Sequence, residues 1–167
     1  MLDTDLTLMK LFIWAFTLLD LKVYFSKWLA MKTETIRQKI TLAAKPIEVY
    51  EAFVDSRKHS SFTGSKATGE GRVGAKFTAW DGYISGKFLK LEKGKRIVQE
   101  WVTTEWPDGY PPSRFELTLR EVKGGTEVSM VHSEVPTEQF EDIKGGWNEF
   151  YWKPLKNYFK KLHEQEK

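Results

Sequence analysis

Residues 114–122, Arg-Phe-Glu-Leu-Thr-Leu-Arg-Glu-Val, are followed by Lys123-Gly124-Gly125 and then by residues 126–135, Thr-Glu-Val-Ser-Met-Val-His-Ser-Glu-Val. Both runs alternate apolar and polar residues, and a Gly-Gly turn joins them, so they read as an antiparallel hairpin. Side chains on a strand alternate faces. Phe115, Leu117 and Leu119 therefore share one face with Val128, Met130 and His132, while Glu116, Thr118, Arg120, Glu127 and Ser129 point the other way. One face is fit for a core and the other for water.

Upstream, the same alternation continues in Phe77–Trp80, Tyr83–Leu91 and Lys95–Thr104, with Ile97 and Trp101 on the inward side. Turn signals separate the runs: Asp81-Gly82, Lys93-Gly94-Lys95, Pro107-Asp108-Gly109 and Pro111-Pro112. Thr35–Ala43 gives a first strand. After it Pro46 stands at a first helical position, and Ile47, Tyr50 and Val54 space an amphipathic helix. Downstream of the hairpin, Thr137 is placed to cap a final helix. Acidic Glu138, Glu141 and Asp142 open that helix and Lys156, Lys160 and Lys161 close it, matching the helix dipole. Trp147, Tyr151, Leu155, Tyr158, Phe159 and Leu162 lie three and four apart and lay an aromatic stripe over the sheet. Gly145-Gly146 and Pro154 weaken this helix, so a break or kink is expected there, with a gap beneath it. The order is strand, helix, meander, long helix, an α+β arrangement.

The 167 residues suit one domain with a sizeable core. Hydrophobic residues at 41% and charged residues at 29% are ordinary globular values. Aromatic content is the outlying quantity: seven Trp, six Tyr and eleven Phe make 14% of the chain, which favours a large apolar cluster or a lined cavity. With no Cys, disulfides, thiolate metal sites and cysteine nucleophiles are excluded. Twenty-six basic against 23 acidic residues, net +3, make no basic stripe, and no nucleic-acid partner is expected.

Residues 1–31 differ in composition from the rest. Leu11–Leu19 is an apolar run of nine, interrupted by Thr17 and bounded by Lys10 and Asp20, too short for the ~20 residues of a bilayer span. A helix is the natural local structure. It reads as packed on the domain or a partner, as a membrane-surface anchor (possible but not favoured), or as sequence upstream of a true start at Met31. The division is placed at residues 1–31 and 32–167, and the domain is expected to fold without the extension.

Residues 69–74, Gly-Glu-Gly-Arg-Val-Gly, match a dinucleotide-binding pattern formally, yet they lead into a strand instead of opening a helix, and they read as a turn. His59, His132 and His163 have no ligand partners at metal spacing, so neither metal nor cofactor is expected. His132 falls on an inward position. It reads as a satisfied core histidine first, a ligand contact second and a general base last. No acid and base converge, and Ser60-Ser61 beside His59 lacks an orienting third group.

Five short stretches in register carry a resemblance: Trp80-Asp81-Gly82-Tyr83-Ile84-Ser85-Gly86-Lys87-Phe88, Lys95 to Trp101, Trp106 to Gly109, Gly146-Trp147, and Tyr151 with Phe159. Over Gln38–Lys161 the chain resembles the C-terminal-type domain of the heat-shock protein 90 ATPase activator family, within the START-like helix-grip (SRPBCC) superfamily that also holds the birch pollen allergen and polyketide cyclases. The resemblance implies a curved antiparallel sheet of six or seven strands wrapped around a long C-terminal helix, two short helices after strand one, and an apolar cavity. In the eukaryotic activator this domain follows a separate N-terminal domain, which residues 1–31 are too short to supply.

The leading expectation is a non-enzymatic, cytoplasmic module that binds a lipid-like or aromatic small molecule. Its cavity is expected to be lined by Phe77, Phe88, Ile97, Trp101, Phe115, Leu117, Met130, His132, Trp147, Tyr151 and Leu155. The alternatives are a chaperone-associated stress-response protein, with a heat-shock chaperone as partner, and a cyclase or hydrolase working in the cavity through His132 and a nearby Tyr.

Overall fold

In a computed structural model, residues 22, 23 and 31–165 are described. The chain divides into two compact units, Met1–Lys32 and Thr33–Lys167. Of the first, Lys22 and Val23 are helical; the rest of the N-terminal helix expected from the sequence lies outside the described residues. No described helix is long and apolar enough to cross a membrane.

The second unit opens with β1 (Thr33–Leu42), followed by α1 (Pro46–Val54) and α2 (Ser56–Thr63). Both helices start where local chemistry dictates. Pro46 occupies the first turn of α1, and the Glu48 carboxylate accepts the Lys45 backbone N–H at 2.6 Å. Asp55 caps α2 by accepting the N–H groups of Arg57 and Lys58, and those bonds hold its carboxyl below the usual range. Gly64, at φ 76°, ends it.

Six strands complete the sheet: β2 (Thr68–Gly69), β3 (Lys76–Ala79), β4 (Ile84–Glu92), β5 (Arg96–Thr103), β6 (Ser113–Val122) and β7 (Gly125–Pro136). They form an antiparallel meander ordered β1-β7-β6-β5-β4-β3-β2, in which β1 closes onto the last strand. The register pairs Leu117 with Met130 and Phe115 with His132, the inward alternation expected from the sequence. Gly86 is required on β4, because a Cβ there would meet the Glu100 carbonyl oxygen at 1.9 Å. Gly69 ends β2, and residues 70–75 form the turn between β2 and β3.

The outer face of the sheet carries cross-strand pairs, Arg96 with Glu116 at 2.8 Å and Arg120 with Glu127 at 2.9 Å, and stays solvated. The inner face packs on the C-terminal helical arm. This arm runs as α3 (Phe140–Gly146), a π-helical turn (Trp147–Trp152) and α4 (Lys153–Gln165). Thr137 does not cap it. Thr137–Gln139 form a separate 3₁₀ turn, and Gln139 stands at the cap position without a side-chain capping bond.

The kink expected from Gly145, Gly146 and Pro154 takes the form of the π-helical turn. Pro154 cannot donate to the carbonyl four residues back, and its ring crowds that carbonyl, so the preceding turn widens. The Lys153 N–H reaches Asn148 O instead. One extra residue per turn rotates Trp152 inward beside Trp147 and Tyr151, a burial the regular stripe did not foresee. There its indole N–H donates to Gln38 Oε1, and Gln38 Nε2 donates to the Lys144 carbonyl, tying the arm to β1.

Candidate functional site

The residues facing the interior separate into two regions. Ile97, Leu117, Met130 and Leu155 are at most 1% exposed and join Leu42, Val128 and Phe159 in a continuous apolar core. They border no cavity described here. Nearer the π-helical turn, Phe77, Phe88, Trp101, Phe115, Trp147 and Tyr151 surround a space of only about 20 Å³, with His59 and Gln99 on its wall. That is the room of one water. Phe115 fills most of the remaining volume by stacking on Trp147 at 4.6 Å with the rings 8° from parallel.

His132 is fully buried and bonded on both sides. Trp147 Nε1–H donates to His132 Nδ1 at 3.1 Å, which leaves the proton on Nε2. Nε2–H then donates to Ser113 Oγ at 2.8 Å, and the Ser113 hydroxyl donates to the Trp101 carbonyl at 2.7 Å. Burial lowers the pKa of His132 to about 3. A neutral ring with both nitrogens engaged is a structural connector between β6, β7 and the arm. His59 is also buried. Burial lowers its pKa to about 4, the Phe53 carbonyl partly offsets this, and its Nε2 has no partner.

Beyond this filled region lies a cleft of about 530 Å³, between the β3–β4 turn, the end of β5 and the first turns of the helical arm. Trp80, Trp101, Trp147, Phe150, Tyr151 and Ile84 make its apolar wall, and Ser65, Asp81, Tyr83, Thr103, Glu105, Gln139 and Asp142 its polar side. Gly146 contributes bare backbone. Of the residues expected to line a cavity, Trp101, Trp147 and Tyr151 border this cleft; Phe77, Phe88 and Phe115 border only the small space; Ile97, Leu117, Met130, His132 and Leu155 border neither.

The β3–β4 turn sets one wall through unusual backbone. Trp80 and Asp81 sit at φ 54° and 55°, in the left-handed region, and Gly82 follows at 94°. For a residue as bulky as Trp this costs on the order of 1–3 kcal/mol and persists only where surrounding bonds impose it. They are present: Tyr83 N–H donates to Trp80 O and Asp81 N–H to Lys66 O, both at 3.0 Å. The Trp80 ring then meets Phe150 edge-on at 5.4 Å and Tyr151 at 6.3 Å. Burial raises the pKa of the Tyr151 hydroxyl well above the ordinary phenol value. Phe150 is 55% exposed, a large apolar side chain held at the cleft mouth.

The polar side is fixed by the loop after β5. Tyr83 O–H donates to Glu105 Oε2 at 2.6 Å, and Gln139 Nε2 donates to the Glu105 carbonyl at 2.5 Å. The hydrogen bond to Glu105 is the main reason the Tyr83 phenol is pushed up from its ordinary pKa. Sequence reading assigns no cleft role to Glu105, Gln139, Asp142 or Phe150, and Asp142 reads there only as an acidic residue at a helix start. Phe150 alone left a signal, a bulky apolar residue four positions after a helical glycine and off the inward stripe.

A seven-stranded antiparallel sheet closed around a long C-terminal helix, with a cleft open at one end, is the helix-grip architecture. The chain belongs to the family described as activator of Hsp90 ATPase homolog 1-like protein, whose model matches residues 43–160. It is 33% identical over 124 residues to the human activator of 90 kDa heat shock protein ATPase homolog 1, covering 74% of this chain and 36% of that protein. The chain thus spans about a third of the length of the curated relatives it matches. Among solved structures, an HSP90 activator from Plasmodium falciparum superposes with a TM-score of 0.68 at 23% identity, over 77% of this chain and 96% of that one. Ara h 8.0201 superposes at 0.62 with 14% identity, over 76% and 97%, which speaks for the fold alone.

Proposed function

We propose that this chain is a non-enzymatic binding module that holds a small molecule with an apolar, flat body in the cleft beside the π-helical turn. The observation that carries this reading is the cleft itself: about 530 Å³, within the range of small-molecule sites, walled by five aromatic rings. His132 is held neutral behind Trp147, and neither it nor the buried His59 lines the cleft, which favours binding over acid–base catalysis. Native mass spectrometry of the full chain purified from its own host tests the reading. A retained small molecule, released on denaturation and displaced by an aromatic competitor, is expected. Protein of bare chain mass that also takes up none of a panel of aromatics and lipids would contradict it.

Family membership favours a second reading, contact with an Hsp90-type chaperone, since the human and Plasmodium relatives carry that activity in their names. Adding the full chain to an Hsp90 ATPase assay checks it: stimulation or a saturable complex supports the contact, and neither at high micromolar protein removes it.

A further inference from the structure

The charge of the cleft is one-sided. Among its fifteen lining residues are three carboxylates, Asp81, Glu105 and Asp142, and not one Lys, Arg or His, although the whole chain carries net +3. Its polar side also has acceptors to spare. Gln139 spends its amide N–H on the Glu105 backbone and leaves Oε1 without a partner. Thr103 is 7% exposed, and its buried hydroxyl, whose nearest polar neighbour is the Tyr83 phenol, has an acceptor lone pair free for a ligand. Trp80, Trp101 and Phe150 line the same cleft, and the face of such a ring attracts positive charge.

On the reading of the cleft as a small-molecule site, we infer that its ligand is an organic cation: a protonated amine on a flat aromatic body. The ammonium would donate to Gln139 Oε1 and Thr103 Oγ1 and lie within the field of Glu105 and Asp142, while the ring packs among the tryptophans. Lining carboxylates act in the opposite sense on a fatty acid or any other carboxylate, because like charges brought into a partly desolvated site repel. The backbone strain at Trp80 and Asp81 fits the same assignment, since it holds an aromatic wall and a carboxylate at the same mouth.

Three indoles of nearly equal size separate charge from shape: tryptamine is cationic, tryptophol neutral and indole-3-acetate anionic at pH 7. Calorimetric titration of the full chain with each is expected to give tryptamine at least tenfold tighter than tryptophol, and indole-3-acetate weaker again. Added salt should narrow the gap, because the carboxylates are reached by solvent. Asp142→Asn with Glu105→Gln, which leaves only Asp81 of the three carboxylates, is expected to lower tryptamine affinity several-fold toward the tryptophol value. A far-ultraviolet circular dichroism spectrum like that of the unaltered chain shows the double variant to be folded. Equal affinity for tryptamine and tryptophol, or preference for indole-3-acetate, would overturn the cationic assignment while leaving the small-molecule site standing. Binding of none of the three up to 10 mM would overturn both.

Discussion

The two ends of the sheet–helix interface are built from different kinds of apolar residue, to opposite effect. At the end built on Leu42, Ile97, Leu117, Val128, Leu155 and Phe159, mostly aliphatic side chains pack into a continuous buried core. At the other, Trp80, Trp101, Trp147, Phe150 and Tyr151 stand around a cleft of about 530 Å³. Aliphatic chains adapt to fill irregular space, whereas rigid aromatic plates leave whatever their backbones cannot close. The left-handed residues at Trp80 and Asp81 and the π-helical turn sit at the aromatic end. Both of these departures from regular backbone contribute residues to the cleft wall.

The largest effect is expected at the seam between the two ends. Trp147 stacks on Phe115, lines the cleft and bonds His132, so Trp147→Ala should cost about 3–5 kcal/mol and abolish cleft binding together. A loss under about 1 kcal/mol in a denaturant titration would mean the stripe is not core. Leu155→Ala, at the filled end, should cost about 3 kcal/mol and leave the affinity of the surviving folded protein unchanged. If its ligand affinity falls in parallel, the two ends are not separable.

Acid should break the filled region through its histidines. Their folded pKa values, about 3 for His132 and about 4 for His59, lie below the unfolded value near 6.5, so the unfolded chain binds the extra protons. Their contribution is complete above pH 6.5 and is lost as pH falls toward 4 and then 3. Each adds a slope of about 1.4 kcal/mol per pH unit within that window. His59→Phe, which removes a ring nitrogen without a partner, should reduce the acid slope by one histidine's share; denaturant titrations at pH 7, 6 and 5 measure it.

A smaller change sharpens the comparison most. Gly146 has helical backbone, and a Cβ there would meet Phe150 at 3.6 Å, an ordinary contact. Gly146→Leu should leave stability unchanged or raise it by up to about 1 kcal/mol through helix propensity, yet fill the cleft and eliminate binding. Retained affinity would place the ligand elsewhere.

How much of this the sequence carried follows the same division. Alternation in 114–122 and 126–135 named the inward residues correctly, because a strand's period of two is a local property. The stripe on the last helix was legible for Trp147, Tyr151, Leu155 and Phe159, and the weak point at Gly145, Gly146 and Pro154 was legible as well. The added residue of the π-helical turn, which carries Trp152 inward, was not, since it arises from how the helix accommodates Pro154. Inwardness also does not say which residues meet empty space. Glu105, Gln139 and Asp142 read as loop and helix-start polar residues; what brings them to Trp80 is the closure of the sheet around the arm, a tertiary event. The two short helices that the resemblance implied after β1 are α1 and α2.

The central claim is that ligand enters at the aromatic end and nowhere along the filled one. Indole N–H signals of the seven tryptophans report it directly by nuclear magnetic resonance, recorded as an aromatic ligand is titrated into the full chain and assigned by single Trp→Phe variants. Saturable shifts are expected at Trp80, Trp101 and Trp147, with Trp152, bonded to Gln38 on β1, moving least of these four. Saturable shifts confined to other tryptophans, or movement of Trp152 with Trp80 unmoved, would contradict the account.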